Sequence, residues 1–219
     1  MQEEIESFIR YAHIFSGAIS LISGILALVL SPNVNRHRPL GKVFFYSMVV
    51  VFITAVILAI HGGIGFLLCV AILSFFSVVI DVRSLRFLKG SVPGLIDVVI
   101  VASLILAGGY LTFIGLRAGA NGINEGAVLY SVFGVAMLFY GASVYRQLLR
   151  IKPGDIMWFT VHKSNMGAAL IATLTAFSTT TMSWLPSILE WFWPTIVFSP
   201  ILGYFIKKSK QNITSNEGK

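Results

Sequence analysis

"VFFYSMVVVFITAVILAIH" (Val43–His61) decides the fold class, because this long apolar stretch contains no Asp, Glu, Lys or Arg. A helix of about 20 such residues crosses the hydrocarbon core of a bilayer, which is about 30 Å thick. The whole chain shares this character, since 56% of its 219 residues are hydrophobic and 11% are charged. Soluble domains carry about 25% charged residues. The sequence therefore indicates an integral membrane protein.

Seven long and mainly apolar stretches occur along the chain. They are Phe8–Leu30, Val43–His61, Ile64–Val82, Leu95–Gly115, Val128–Leu148, Met157–Thr180 and Ile188–Ile206. Their length favours helices, because the strands of a membrane barrel have about ten residues of alternating hydrophobicity. We therefore predict an all-α polytopic membrane helix bundle with about seven transmembrane helices. Residues 1–206 would form a single transmembrane domain, and residues 207–219 a short basic polar tail.

The distribution of Lys and Arg predicts the orientation of these spans. The loops after the first, third and fifth spans carry three basic residues each and the tail carries four, whereas the opposite side has only Arg10 and Arg117. The positive-inside rule then places the N-terminus outside and the C-terminus in the cytoplasm. The expected location is the inner (plasma) membrane of a bacterial cell. The expected partners are the bilayer and, at the basic face, anionic lipid headgroups; a homo-oligomer stays open, and no nucleic acid is expected.

Four histidines fall at two depths in this topology. His13 and His61 lie near the outer face, and His37 and His162 lie near the cytoplasmic face. Helical periodicity places small residues on the faces of two of them. His13 shares its face with Ser16, Gly17, Ser20, Ser23, Gly24 and Ala27, and His162 shares its face with Asn165, Ala169, Ala172, Thr175, Ala176 and Thr179. Small residues mark close helix contacts in membranes, so both histidines are expected to face the interior of the bundle.

The main candidate site is a polar site around His162, near the cytoplasmic face. Asp97 and Asp81 are the carboxylates expected at its depth, and either would lower the cost of burying the imidazole. Two alternatives stay open. Asp97 also suits a carboxylate at a helix N-terminus, and Asp81 suits a surface pair with Arg83. Lys163 points about 100° away from His162 and is expected to reach the cytoplasmic surface.

Three classes of function remain open, and the leading interpretation is a structural, sensory or assembly role. In that role the histidines form hydrogen bonds between helices, and the absence of hydrolase, metalloprotease and nucleotide-binding motifs makes enzymatic activity the less favoured interpretation. The first alternative is a small-solute or proton-coupled transporter that uses His162 and Asp97. Ionisable residues within membrane spans are candidates for such functions.

The second alternative is a redox protein that binds haem b or a metal between pairs of histidines. His13 and His61 would form the outer pair, and His162 would take part in the inner one. Met166 lies one turn from His162 and offers a soft ligand. His37 lies between two arginines, however, and His61 precedes two glycines. We therefore leave the cofactor and the metal unassigned.

Several segments together carry a resemblance to a known group of proteins. They are His13 with its Gly/Ser-rich span, "RHRPLGKVFFYSM" (Arg36–Met48), "HKSNMGAALIATLTAF" (His162–Phe177) and "LPSILEWFWPTIVFSPIL" (Leu185–Leu202). With its HR-x-x-G loop and its H-x3-M…LTAF helix, the chain resembles an uncharacterised family of bacterial multi-pass membrane proteins. The resemblance implies an all-helical inner-membrane protein and no particular reaction.

The same resemblance suggests how one loop meets the candidate site. Arg36–Gly41 would be a cytoplasmic loop that folds back against the inner end of the sixth span. This would bring His37 or Arg38 close to His162 and Asp97, and it would add both to the candidate residues of the site.

Overall fold

The chain is all helical in a computed structural model, which describes residues 2–120 and 122–217 and, for side chains, residues 3–120, 122–204, 206 and 207. The described residues form seven helices: α1 (Gln2–Val29), α2 (Val34–His61), α3 (Gly65–Leu88), α4 (Leu95–Gly119), α5 (Glu125–Arg150), α6 (Met157–Thr181) and α7 (Ser187–Glu217). Each of them overlaps one of the stretches picked out by length and hydropathy. The all-α class is thereby confirmed.

Five of these helices have the length and the hydropathy to cross a membrane. Among the described residues they are α1 to α5, judged by length and composition alone. The prediction of a multi-pass membrane protein is therefore confirmed at this level. The count of seven spans also needs α6 and α7, and it stays a prediction.

The chain divides into two compact units within α3. The first unit extends to Phe75 and contains α1, α2 and the first part of α3; the second begins at Phe76 and contains the rest of α3 and α4 to α7. The prediction of a single domain stays a prediction. Of the predicted basic tail, residues 207–217 continue α7 as helix, and residues 218–219 lie outside the described part of the chain.

In the first unit, one face of α1 carries a buried stripe of small residues. Ser16, Ser20, Ser23 and Ala27 are all buried there, as the periodicity predicts. The hydroxyl of Ser16 donates to the carbonyl of Ala12 at 2.6 Å, and that of Ser23 donates to a carbonyl one turn earlier at 2.7 Å. Because each hydroxyl is satisfied within its own helix, these side chains can lie in an apolar contact without an unpaired polar group.

The expected loop at Arg36–Gly41 is wrong, because these residues belong to α2. The helix begins at Val34, and the side chain of its N-cap Asn33 accepts a hydrogen bond from the Arg36 N–H at 3.3 Å. Asparagine is among the strongest N-cap residues. The connection from α1 therefore ends at Asn33, and Pro39 lies inside the helix.

In the second unit, α4 and α5 form an antiparallel pair whose backbones approach closely at glycines. A Cβ atom placed on Gly108 would lie 2.9 Å from the carbonyl oxygen of Gly134, and one placed on Gly134 would lie 2.9 Å from the carbonyl oxygen of Gly108. Gly115 and Gly141 lie two turns further along the two helices and also face the neighbouring helix. Such small residues let membrane helices pack closely by van der Waals contact.

The helices α6 and α7 form a second antiparallel pair in this unit. The indole Nε1 of Trp193 donates to the Ser178 hydroxyl at 2.7 Å. Further along, a Cβ atom on Gly167 would lie 2.6 Å from the Leu202 side chain. α7 also meets α5, where the rings of Trp191 and Phe133 pack edge to face with centroids 5.4 Å apart. These contacts position α6, which carries His162, within the second unit.

Candidate functional site

A polar stripe on α3 supplies the carboxylate of the candidate site. Ser77, Asp81 and Ser84 follow one another at helical spacing and are all buried, with Asp81 only 5% exposed. The Ser84 hydroxyl donates to the backbone carbonyl of Asp81 at 2.6 Å. A carboxylate buried to this degree requires a hydrogen-bonding or charged partner, since its burial is otherwise very costly.

His162 on α6 is that partner. Its Nδ1 lies 2.7 Å from the Oδ1 of Asp81, and both side chains are buried. Of the two carboxylates that the sequence offered to His162, Asp81 is therefore the one in contact. The alternative of Asp81 in a surface pair with Arg83 is wrong, because Asp81 is buried and Arg83 pairs with Asp97 instead.

Tyr140 and Asn165 extend this contact to a third helix. The Tyr140 hydroxyl donates to the Oδ1 of Asn165 at 2.9 Å, and Asn165 lies one turn from His162 on α6. Ser77 is buried on α3, one turn before Asp81. We call these five residues of α3, α5 and α6 the polar cluster.

One atom of the polar cluster has no partner among the described residues. Asn165 is only 5% exposed. Its Nδ2 is buried and makes no hydrogen bond with the described residues. A buried donor that lacks an acceptor costs about 1–3 kcal/mol, and native proteins contain few of them. Asn165 therefore holds a donor that a bound oxygen atom would satisfy.

Asp97, the other predicted carboxylate, makes a different contact. Its two oxygens accept from the guanidinium of Arg83, and its Oδ2 also accepts from the Gly94 N–H at 2.7 Å. Asp97 is fully buried near the start of α4, so its interpretation as a helix N-terminal carboxylate is confirmed. The contact between Arg83 and Asp97 was not predicted from the sequence. Helical spacing was the available signal, because Arg83 lies two residues after Asp81 and so points about 200° away from it, toward a different neighbour.

The other three histidines lie in the first unit, and each has its own partner there. The Nδ1 of His13 lies 2.9 Å from the Oγ1 of Thr54. The Nδ1 of His37 lies 2.9 Å from the carbonyl oxygen of Ala27, and that of His61 lies 3.6 Å from the Oε2 of Glu6. His13 and His61 are thus engaged with other side chains, and their role as an outer metal or haem pair stays a prediction.

The remaining predicted site residues fall in both units. Arg38 is exposed on α2 in the first unit. The hypothesis that it approaches His162 stays a prediction. Met166 is buried on α6 directly after Asn165. Within the described part of the chain, no three His, Cys, Asp or Glu side chains converge as a metal-ion cluster. The metal and haem alternatives stay predictions.

Lys163 and His162, although adjacent, have different surroundings. The Nζ of Lys163 lies 4.3 Å from the centroid of the Phe159 ring, one turn earlier on α6. A cation over an aromatic face gains about 0.5–1 kcal/mol at an exposed site. Lys163 thus belongs to a cation–π contact, whereas His162 belongs to the polar cluster.

Comparison with known proteins adds no assignment to this geometry. No protein-family model, curated protein or solved structure matches the chain. The resemblance to a bacterial membrane-protein family stays a prediction, and the polar cluster has to be interpreted from its own chemistry.

Removing the Tyr140 hydroxyl is expected to destabilise the protein. A Tyr140→Phe variant leaves the Oδ1 of Asn165 without its donor, so we expect a loss of about 1 kcal/mol in the free energy of unfolding. The measurement is unfolding by sodium dodecyl sulfate in mixed micelles. Tyr145→Phe on the same helix is the matched control, because Tyr145 is 52% exposed. Equal losses in the two variants would contradict the hydrogen bond to Asn165.

Proposed function

We propose that the protein crosses the plasma (inner) membrane of a bacterial cell seven times, with its N-terminus outside and its C-terminus in the cytoplasm. The support is the membrane-spanning character of α1 to α5, together with the alternation of basic and neutral loops along the chain. In this topology α6 rises from the cytoplasmic side, and His162 lies in its second turn. The polar cluster then lies at the cytoplasmic end of the spans.

We further propose that the protein is a proton-coupled transporter of a small polar solute, with the pair Asp81 and His162 as its proton-binding site. One observation carries the proposal: the two groups approach to 2.7 Å while both are buried. Ionisable groups within membrane spans are costly, and they typically mark proton relays and solute pathways. Because the groups are so close, they titrate as a coupled pair rather than separately.

The chemistry of the polar cluster provides a route from proton to solute. Gain of one proton changes the pair from a carboxylate with neutral imidazole to a carboxylate with imidazolium, so its net charge rises from −1 to zero. Asn165 lies one turn from His162 on α6, and its Oδ1 accepts from the Tyr140 hydroxyl. The Nδ2 of Asn165 then offers a donor to an acceptor oxygen of the solute. The solute class is accordingly a small molecule with a carbonyl, hydroxyl or carboxylate oxygen.

Reconstitution tests this function. Wild-type protein in liposomes with an imposed pH gradient should move protons, read from a dye in the lumen, when a solute of the right class is supplied. We expect Asp81→Asn and His162→Gln each to reduce this flux at least about tenfold, as the loss of a proton-transfer group does. His61→Gln is the control, since His61 is exposed and lies in the other unit. Flux that is unchanged in Asp81→Asn would refute the proposal.

A structural or sensory role is the second candidate, and the contact between Arg83 and Asp97 favours it. That contact joins α3 to α4 through a buried carboxylate and a part-buried guanidinium, and it needs no moving proton. Under this role, Asp81→Asn would lower stability, and the wild-type protein would carry no proton flux with any solute of the class. The liposome experiment therefore separates the two candidates, and no enzymatic reaction is proposed.

A further inference from the structure

Five basic side chains gather around the connections that follow α3 and α5. They are Arg86, Lys89, Arg146, Arg150 and Lys152. All five are exposed, and none forms an ion pair with another residue in the described part of the chain. We call this set the basic surface. Uncompensated cations repel one another at close range, so their proximity favours a negatively charged partner.

Direct contacts bring the two connections of the basic surface together. The Gly154 N–H donates to the carbonyl of Phe87 at 2.7 Å, and the ring of Phe87 packs on that of Trp158 with centroids 4.6 Å apart. The Trp158 indole also donates to the carbonyl of Lys152 at 3.0 Å. Arg86 and Lys89 lie within two residues of Phe87 in the chain, so the two connections that carry the cations meet at one packed contact.

The composition of this region is that of a membrane interface. Asp155 is the one acidic residue of the two connections, and its carboxylate accepts from the Met157 N–H at 2.8 Å. Leu149, Ile156 and Met157 are exposed apolar side chains beside the cations. Basic heads next to exposed apolar side chains suit the level at which lipid headgroups meet acyl chains.

We propose that the basic surface binds the phosphates of anionic phospholipids in the leaflet that contacts it. This inference rests on the membrane insertion proposed above, and it is independent of proton transport. Two observations favour a lipid over a free phosphate ion. The cations are spread over two connections rather than gathered in one pocket, and the apolar side chains among them give acyl chains a surface to cover.

Native mass spectrometry of the full chain in detergent tests this proposal. The probes are phosphatidylglycerol and phosphatidylcholine with the same short acyl chains. The test variant combines Arg86→Gln, Lys89→Gln, Arg150→Gln and Lys152→Gln, and the control variant combines Arg10→Gln with Arg117→Gln. Each basic residue near an anionic surface contributes about fivefold to affinity. We therefore expect the test variant to bind phosphatidylglycerol at least about tenfold more weakly, and the control to bind as wild type does.

Two further measurements use the wild-type protein, so they test the proposal even if the test variant folds poorly. Binding of phosphatidylglycerol to the wild type should weaken in high salt, since exposed charges are screened there. Inorganic phosphate at the lipid's concentration should leave the lipid bound. The proposal fails if phosphatidylcholine binds equally well, if salt has no effect, if the test variant retains wild-type affinity, or if inorganic phosphate displaces the lipid.

Discussion

Replacement of Asp97 by Ala is expected to destabilise the protein by about 3 kcal/mol, because it leaves a part-buried guanidinium without its partner. Arg83 has a side chain that is only 14% exposed, and both of its contacting nitrogens meet the Asp97 carboxylate. The same substitution also removes the acceptor for the Gly94 N–H at the start of α4. The measurement is the free energy of unfolding in mixed micelles of detergent and sodium dodecyl sulfate.

A second variant tests whether the unpaired charge causes this loss. Replacing Arg83 by Met together with Asp97→Ala removes both charges, and buried ion pairs replaced by apolar residues often cost little. We expect the double variant to recover most of the stability lost in Asp97→Ala. A double variant as unstable as the single one would show that the N-terminal contact with Gly94, rather than the ion pair, is the main contribution of Asp97.

Gly108→Ala is expected to have the next largest effect, because it inserts a methyl group where α4 and α5 touch. The new Cβ would lie 2.9 Å from both the Gly134 carbonyl oxygen and the Leu138 nitrogen, which are backbone atoms and cannot rotate away. Overpacking of this kind costs about 1–3 kcal/mol. Unfolding in mixed micelles measures it.

The neighbouring Gly109 is the matched control for this substitution. A Cβ atom on Gly109 would meet nothing within 4 Å, and Ala is the better helix former by about 1 kcal/mol. We therefore expect Gly109→Ala to leave the free energy of unfolding unchanged or to raise it. A similar loss in both variants would contradict the close contact between α4 and α5 as the cause of the loss in Gly108→Ala.

The helices themselves could be predicted from the sequence, because the length of an apolar stretch follows directly from the thickness of a bilayer. The buried stripe on α1 could also be predicted, since Ser16, Ser20 and Ser23 recur at helical spacing. The start of α2 could not, because one side chain, Asn33, decides it. Apolar content marks the lipid-embedded part of a helix, whereas capping decides where the helix begins outside it.

The partners in the candidate site were only half predictable. His162 was expected to face the interior and to meet a carboxylate, and it does so with Asp81. The choice between Asp81 and Asp97 depends on how α3 and α4 are rotated about their axes, which no local pattern determines. The contact of Tyr140 with Asn165 depends on the rotations of α5 and α6 in the same way.

Asp81 and Arg83 together make α3 intolerant of an insertion or deletion between them. The two residues lie on one continuous helix and hold different partners, His162 on α6 and Asp97 on α4. Each residue added to a helix turns everything after it by about 100° and shifts it by about 1.5 Å. An inserted or deleted codon between them would preserve one of the two contacts and misdirect the other, so evolution can vary the residue at position 82 more freely than the number of residues there.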